Sequence, residues 1–374
     1  MLTVAALASL SCILAVWALY PALIGVVAGL VRRRDAHAPV VQGSLPRVTA
    51  IVATRADPVA VRERVDDLLR SEYPAALLDV VVAYDARTTE PMATWSGEAA
   101  GRVQVVRGDE PGGKAAALNA GVRAAGGEVV VFADSGQRFG ADAIALLTRA
   151  LVRPNVGVVS GRLELARGAK APALPFRLYW SLERWLRRRE ADVHSAIGVT
   201  GAIYAMRRAL WTPLPAGLIL DDLYVPMQLV LAGHRIAFVD EARAHETRAT
   251  TDGNEYRRKV RTLTGVLQLC AWMPRTLSPV HNPAWIQFVT HKLLRLLTPY
   301  WLLVCVVWVV VAVAHRIGLG WLLALAAAFV AMLQLRSRPV RALRSAVVSS
   351  ILLQVATVRA TANGARGRWD VWHA

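Results

Sequence analysis

Cysteine is scarce in this sequence. Three cysteines occur among 374 residues, and Cys12, Cys270 and Cys305 lie in or beside apolar segments, far apart along the chain. No pair has the short spacing of a zinc site, and none suggests a disulfide. These absences exclude a disulfide-rich small protein and a zinc finger, and they agree with a reducing compartment.

Acidic residues are also few. The chain has 27 Asp and Glu against 44 Lys and Arg, a formal net charge of +17. Such an excess can indicate nucleic-acid binding. However, the sequence has no zinc-ligand cluster, no RNA-binding aromatic motif, no internal repeat and no long low-complexity tract. Many arginines flank apolar segments, so we expect them to face membrane lipids, and we expect no nucleic-acid partner.

Long apolar runs, in contrast, occur at both ends of the chain. The first runs from Val4 to Val31 without a charge and is long enough to cross a bilayer. It is too long for a cleaved signal peptide and lacks a basic leader. Three arginines follow at 32–34, and the positive-inside rule places the next domain in the cytoplasm. We therefore predict an N-terminal transmembrane anchor over 1–34.

The second apolar block begins near Leu293 and continues to Ala314, and another run covers 319–335 before a basic segment. This charge pattern fits one helix that leaves the cytoplasm and one that returns. A shorter run at 346–358 is either a third C-terminal span or a helix in the interface. We predict transmembrane helices and a short basic tail over 291–374, and hence a multi-pass protein of the cell membrane.

The middle of the chain, 45–290, alternates between strand and helix patterns. Strands are predicted at 47–54, 79–86, 102–108 and 128–135. This alternation predicts an α/β fold with a mostly parallel, doubly wound sheet. Ligands of such sheets bind at the carboxyl ends of the strands, where Asp85 and Asp134 lie. Either aspartate alone would more readily be a cap, but the two together favour a site.

Two adjacent aspartates, Asp221 and Asp222, stand in the apolar segment "LILDDLYVPMQLVLAGHRI". A buried charge costs several kcal/mol unless it is paired or used. One interpretation is that an aspartate caps the following helix, which would end at Gly233. The other is that the pair works in catalysis, because two close acids raise the pKa of one of them and make it a better base.

In their order, these segments resemble the membrane-bound branch of glycosyltransferase family 2, which includes the cellulose, chitin and hyaluronan synthases. The resemblance covers about 45–300. It implies a GT-A nucleotide-sugar-binding mixed sheet flanked by helices, an amphipathic interface region near 255–290, and inverting transfer. The matching residues, in chain order, are Asp85, Lys114, Asp134, Asp221, Asp222, Arg258 and Arg261.

The resemblance also implies a role for each match. Asp85 would contact the nucleotide base, and Lys114 in "GGKAAALNAG" would contact the diphosphate. Asp134 matches the first residue of the D-x-D motif, which holds Mg²⁺ or Mn²⁺. Asp222 would be the general base, with Asp221 positioning it or bonding the acceptor.

Arg258 and Arg261 fall where the family carries Q-x-x-R-W. They are three residues apart on one helix face and are candidates to clamp diphosphate oxygens. A solvated or lipid-facing basic helix is the alternative interpretation.

The sequence also departs from the family pattern. The D-x-D position reads Asp134-Ser135-Gly136 and lacks the second carboxylate, and the Gln and Trp of Q-x-x-R-W are missing. These departures leave the metal requirement and processivity open.

We expect a glycosyltransferase that moves a sugar from a nucleotide sugar, a UDP-sugar by preference, to a hydroxyl or phosphate acceptor. The acceptor would be a polysaccharide or a lipid-linked molecule of the cell envelope, and envelope-assembly proteins would be partners. The alternative is a non-catalytic, nucleotide-binding component of a polysaccharide assembly machine. A transporter would need more spans than the sequence offers.

Overall fold

The computed structural model describes residues 1–35, 45–164, 174–247, 252–335 and 337–371. Parts of the predicted segments lie outside the described residues: 165–173 and 248–251 of the central domain, Arg336 of the basic segment, and 372–374 of the tail.

The α-helices are α1 (Leu2–Leu14), α2 (Tyr20–Asp35), α3 (Pro58–Leu69), α4 (Lys114–Ala124), α5 (Ala143–Leu151), α6 (Leu174–Val193), α7 (Asp221–Leu231), α8 (Asp252–Trp272), α9 (Trp285–Phe288), α10 (Thr298–Ile317), α11 (Leu319–Leu333) and α12 (Arg338–Ala365). The strands are β1 (Val48–Thr54), β2 (Leu78–Tyr84), β3 (Val103–Arg107), β4 (Val129–Ala133), β5 (Gln137–Phe139), β6 (Val156–Glu164), β7 (Ile203–Arg207) and β8 (Arg235–Glu246).

The strands form one eight-stranded sheet in the order β3-β2-β1-β4-β7-β6-β8-β5. The first four strands of this order are parallel, as the alternation of strands and helices predicts. β7 is antiparallel to both β4 and β6, β8 is parallel to β6, and β5 is antiparallel to β8. The sheet is therefore mixed, and the predicted α/β GT-A class is confirmed.

Apolar packing covers both faces of the sheet. Ile51 and Phe132 face a core shared with α4, α7 and α8, whereas Val48 and Val52 face a core shared with α3 and α5. Strands that are buried on both faces need continuous apolar sequence rather than alternation. This requirement explains the Val- and Ala-rich runs of β1, β2 and β4.

The helices at the ends of the chain include three that are long and apolar enough to cross a membrane: Leu2–Val31, Trp285–Ile317 and Pro339–Ala365. α11 is apolar but shorter. The predicted run at 346–358 lies inside the much longer α12. The end of α12 packs closely on α8. A Cβ at Gly364 would lie only 2.5 Å from Leu267 Cδ1.

The N-terminal helix pairs with α10 in antiparallel orientation. Trp308 Nε1 donates to Thr3 Oγ1 at 3.2 Å, and Trp17 Nε1 donates to Thr298 Oγ1 at 3.0 Å. Beyond Trp17 the helix continues along α6, where a Cβ at Gly25 would lie 2.9 Å from the Trp185 ring. The predicted anchor is therefore longer than a span needs, and its second half packs on the sheet domain.

A close approach of two helices fixes the start of α7. Gly265 on α8 faces Leu220, the residue before the two aspartates, and a Cβ at position 265 would lie 2.4 Å from Leu220 Cγ and 3.1 Å from Ile219 Cγ2. Only a glycine lets α8 approach this closely without displacing Leu220.

We expect Gly265→Ala to lower the free energy of unfolding by about 1–2 kcal/mol, because overpacking outweighs the gain in helix propensity. Thermal unfolding of the purified protein measures this change. Gly29→Ala is the control, since no atom lies within 4 Å of a Cβ at that helical position. Equal unfolding midpoints for Gly265→Ala and wild type would contradict the packing argument.

Candidate active site

Lys114 joins two carboxylates that come from different elements. Its Nζ atom lies 3.2 Å from Asp134 Oδ1 and 3.3 Å from Asp221 Oδ2. Asp134 follows β4, and Asp221 begins α7. Burial acts to lower the pKa of Lys114, but the carboxylates of Asp134 and Asp221 outweigh it, so the pKa is raised. The lysine is therefore a permanent positive charge between two acids.

The two glycines before Lys114 are required by the backbone. Gly112 and Gly113 have φ of +83° and +99°, a region that residues with a Cβ rarely adopt. A Cβ at Gly112 would also lie 2.5 Å from Asp85 Oδ1. This loop turns directly into α4 and places Lys114 in its first turn.

Asp85, at the end of β2, is bonded from two sides. The side chain accepts from the Gly113 backbone N–H at 2.9 Å and from Arg87 Nη2 at 2.9 Å. Burial acts to raise the pKa of Asp85, whereas the hydrogen bonds from Arg87 and Gly113 act to lower it, and the result is a pKa of about 2. Asp85 therefore ties the glycine loop to the sheet.

The acidic pair does not cap α7. The N-cap residue is Leu220, it has no side-chain cap, and Asp221 and Asp222 are the first two residues of the helix. Acids in the first turn interact favourably with the helix dipole. Neither aspartate side chain therefore caps the helix, and the capping interpretation finds no hydrogen bond in the structure.

Asp222 has the environment of a base. Burial raises its pKa most, Asp221 raises it further, and the positive charges of Lys114, Arg187 and Arg261 act in the opposite direction. The net direction is upward. A carboxylate with a raised pKa holds a proton more tightly, which suits a group that must remove one from an acceptor.

The two predicted arginines of α8 differ in their surroundings. Arg261 is close enough to lower the pKa of Asp222. Arg258 instead lies 3.7 Å from Glu255 and stacks over Trp180, with 5.2 Å between its Cζ atom and the ring centroid. The structure thus brings Arg261 to the acid pair and places Arg258 at a neighbouring aromatic surface.

Two further residues at the site were missed by the sequence analysis. Arg187 of α6 acts on Asp222, and Tyr204 of β7 is buried with its pKa raised by burial and by the acids Asp221, Asp222 and Asp134. The Tyr204 ring stacks on Phe132 at a centroid distance of 4.4 Å. Neither residue stands in a motif with an obvious chemical role, so only their position in space reveals them.

A small pocket lies between the charged residues. Besides Lys114, Asp134 and Asp221, it is lined by Ile51, Ala53, Leu118, Phe132, Ala133 and Gly201. The floor is thus apolar and the rim is charged. Such a floor suits the low-dielectric environment in which charge–charge contacts are strong.

The donor set for a divalent metal is limited. Within the described ranges no group of three or more His, Cys, Asp or Glu side chains could hold a metal. Gly136 replaces the second acid, although Glu246 Oε1 lies 3.8 Å from where a Cβ at 136 would stand. Mg²⁺ commonly binds through one or two carboxylates together with substrate phosphates and water. Asp134 alone therefore fits an ion that a diphosphate brings with it.

Comparisons with known proteins bear on the family and the fold of the chain. The family model described as "Glycosyltransferase like family 2" matches residues 46–265. No curated protein matches the chain.

Among solved structures, the mannosyltransferase PcManGT from Pyrobaculum calidifontis, in complex with GDP-Man and Mn²⁺, has 21% identity and a TM-score of 0.69 over 98% of this chain and 100% of that chain. Glucosyl-3-phosphoglycerate synthase from Mycobacterium tuberculosis, in complex with Mn²⁺, UDP and phosphoglyceric acid, has 16% identity and a TM-score of 0.38 over 65% of this chain and 81% of that chain. The first likeness shows a shared fold.

We expect Asp85→Asn to lower the free energy of unfolding at neutral pH by roughly 2 kcal/mol. This is the free energy that corresponds to the lowered pKa of Asp85. The native state binds this proton less tightly than the unfolded state, so the stabilisation is present above pH 4 and is lost as the pH falls towards 2. Unfolding of both proteins, measured from pH 7 to pH 3, should show the difference shrinking. A constant difference would contradict this origin.

Proposed function

The chain belongs to glycosyltransferase-like family 2, and we propose that it is a membrane-bound, inverting glycosyltransferase of the cellulose synthase-like branch. It would move a sugar from a nucleotide sugar, by preference a UDP-sugar, to a hydroxyl or phosphate acceptor. The observation that carries this proposal is the convergence of Lys114, Asp134, Asp221 and Asp222 at one end of the sheet.

Asp222 is the proposed general base. The acceptor oxygen attacks the anomeric carbon of the donor sugar, and the proton of the acceptor hydroxyl passes to the Asp222 carboxylate. The bond between the anomeric carbon and the diphosphate oxygen breaks, and the nucleoside diphosphate leaves with the electron pair. Attack from the face opposite the leaving group inverts the configuration at that carbon.

Lys114 and Arg261 are the proposed partners of the departing diphosphate. Fixed positive charges aimed at the position where negative charge develops stabilise the transition state. Asp134 would hold Mg²⁺ or Mn²⁺, which would supply further positive charge to the same oxygens. Arg258, which packs against Trp180, is proposed as a further donor-binding residue.

Donor binding would also prepare the base. Without donor, Lys114 is engaged by Asp134 and Asp221. A diphosphate that binds the same ammonium group brings negative charge near Asp222 and offsets the Lys114 charge, which acts to lower the pKa of Asp222. Binding of the donor would therefore make the neighbouring acid a stronger base.

Asp85 is proposed to contact the nucleotide base. Its carboxylate is held by Gly113 of the same loop that precedes Lys114. Base and diphosphate recognition would then be coupled through three consecutive residues, 112–114. Arg87, whose side chain is 46% exposed, would move to admit the base.

The three apolar helices support a membrane location. We propose that the protein is multi-pass, that the sheet domain lies in the cytoplasm, and that the product is a polysaccharide or glycolipid of the cell envelope. Envelope-assembly proteins would be partners. The single carboxylate at Asp134-Ser135-Gly136 supports the competing proposal of a non-catalytic, nucleotide-binding component.

We expect Asp222→Asn to keep donor binding and to lower turnover by about 10²–10⁴-fold, the usual contribution of a general base. The measurement is nucleotide release in lipid nanodiscs across a panel of UDP- and GDP-sugars with Mg²⁺ or Mn²⁺. Asp109→Asn is the control, because Asp109 is exposed and pairs only with Arg123 on the surface among the described contacts. Unchanged turnover would remove Asp222 from its role, and donor binding without any turnover would favour the non-catalytic component.

We expect Asp134→Ala to weaken metal-dependent UDP binding by at least about tenfold, because the ion loses its protein carboxylate. Titration calorimetry of UDP with and without Mn²⁺ separates this effect from direct nucleotide contacts. Asp142→Ala, an exposed N-cap position without a side-chain cap bond, should leave both affinities unchanged. Full wild-type turnover in excess chelator would refute the metal role.

A further inference from the structure

A fully buried arginine lies behind the residue that is proposed to hold the metal. Arg64 of α3 is 0% exposed and stands among the apolar residues Val61, Val65 and Leu68 of the same helix. A charge taken out of water is costly unless it is paired and hydrogen-bonded. None of the groups assigned to the donor or the acceptor explains why a cation is buried here.

The contacts of Arg64 lead to Asp134. Its Nε atom donates to the backbone carbonyl oxygen of Asp134 at 3.1 Å, and its Nη1 atom donates to Asp67 Oδ2. Its Cζ atom lies 4.2 Å from the centroid of the Phe139 ring. Because a guanidinium group is planar and rigid, these three contacts fix its orientation. The backbone at Asp134 is thereby tied to α3.

Asp67 holds the other end of the same turn. Besides pairing with Arg64, Asp67 Oδ2 accepts from the backbone N–H of Phe139 at 3.1 Å. The chain between these two contacts leaves β4 and forms β5. We call residues 134–139 the metal turn. Two side chains that are three residues apart on one helix face therefore hold both of its ends.

The middle of the metal turn is also held by side chains. Arg138 Nη1 donates to the carbonyl oxygen of Gln137 at 3.1 Å and to that of Ser135 at 3.4 Å. From the end of β8, Thr247 Oγ1 donates to the carbonyl oxygen of Gly136 at 2.7 Å. Four consecutive carbonyl groups of the turn thus accept hydrogen bonds from side chains, which fixes the course of its backbone.

This arrangement adds no net charge beside the proposed ion. Arg64 pairs with Asp67, and Arg138 pairs with Glu63 at 3.0 Å. The two ion pairs are neutral as units, so they do not repel a divalent cation. The Asp134 carboxylate itself is 39% exposed. The backbone of the residue is therefore held while its side chain stays accessible.

Stability alone does not explain the buried pair. Nη2 of Arg64 is buried without a hydrogen-bond partner among the residues that the structure describes. A buried ion pair is often no more stabilising than apolar side chains of similar volume. An apolar pair, however, could not bind the carbonyl oxygen of Asp134 and the N–H of Phe139. The specific benefit of the pair is therefore the conformation of the metal turn.

The conformation of this turn matters more here because the site has a single carboxylate. Gly136 stands where a second acid would share the ion, and a glycine gives the backbone additional freedom. A flexible turn would have to be ordered each time the ion bound, which would cost conformational entropy. A turn that is already ordered avoids this cost.

We propose that Arg64 is a positioning residue for the metal-binding carboxylate. Together with Asp67, it holds the metal turn in the conformation in which Asp134 binds the Mg²⁺ or Mn²⁺ that accompanies the donor diphosphate. Arg64 touches neither the donor nor the ion and acts through the backbone of Asp134. This inference rests on the proposed function, specifically on the metal role of Asp134.

The test uses the double variant Arg64→Met/Asp67→Asn in the full chain. Methionine fills the space of the arginine stem, and asparagine keeps an acceptor for the Phe139 N–H, so no charge is left unpaired. Titration calorimetry measures the affinity for UDP or GDP, whichever wild type binds more tightly, with and without Mn²⁺.

We expect the Mn²⁺-dependent gain in nucleotide affinity to fall by about 10–100-fold, the usual cost of losing a group that orients a metal ligand. The affinity without metal should be unchanged. An equal gain in wild type and variant would overturn the proposal, as would a wild-type affinity that does not depend on Mn²⁺. A fall in both affinities would show a general structural role and would also overturn it.

A conservative variant keeps the test decisive if the double variant does not fold. Arg64→Lys retains the charge opposite Asp67, but a flexible ammonium group cannot reproduce the fixed planar contacts. We expect a reduced Mn²⁺-dependent gain with an unchanged affinity without metal, and a full gain would overturn the proposal. Arg62→Met, which removes an exposed cation from the same helix, is the control and should leave both affinities unchanged.

Nucleotide release from UDP- and GDP-sugars, measured on the same samples, keeps the two proposals distinguishable. A wild type without turnover, whose Mn²⁺-dependent gain is lost in the double variant, would count against the glycosyltransferase only. Wild-type turnover with an equal gain in the double variant would count against the role of Arg64 only.

Discussion

The structure depends on balancing negative charge at the carboxyl ends of the central strands. Asp134, Asp221 and Asp222 converge there, and Lys114 bridges the first two. Like charges this close repel strongly in a poorly solvated place, so the arrangement requires the lysine to be placed accurately. The glycine turn at 112–113 positions Lys114, and the close contact between Gly265 and Leu220 positions the start of α7 with Asp221 and Asp222.

The same requirement governs the region next to the membrane. Buried acids of α6 meet cations from the segment before α10, and Tyr20 of the N-terminal helix closes the network. A buried ion pair contributes little net stability, but loss of one partner costs several kcal/mol. These contacts therefore specify how the membrane helices meet the sheet domain. Arg187 belongs to both regions, so their electrostatics are coupled.

Much of this organisation could be predicted from the sequence, because its signals are local. The parallel strands follow from apolar runs, and the Gly-Gly-Lys turn and the acidic pair are contiguous. The antiparallel strand β7 and the role of Arg187 depend on contacts between distant segments, which no local pattern encodes. Arg258 and Arg261 show the limit clearly. Their spacing predicts one helix face, yet only the packing of Trp180 decides that Arg258 turns to an aromatic partner.

The missing second carboxylate of the D-x-D pattern fits the charge balance of the site. Three acids, Asp134, Asp221 and Asp222, face the cations Lys114, Arg187 and Arg261. A further aspartate at position 136 would make the donor-free site negative and would repel a diphosphate. With glycine there no further negative charge stands beside Asp134 and Glu246, so the repulsion of an incoming diphosphate is smaller. A weak metal site of this kind is compatible with glycosyl transfer, provided that the donor carries most of the metal's ligands.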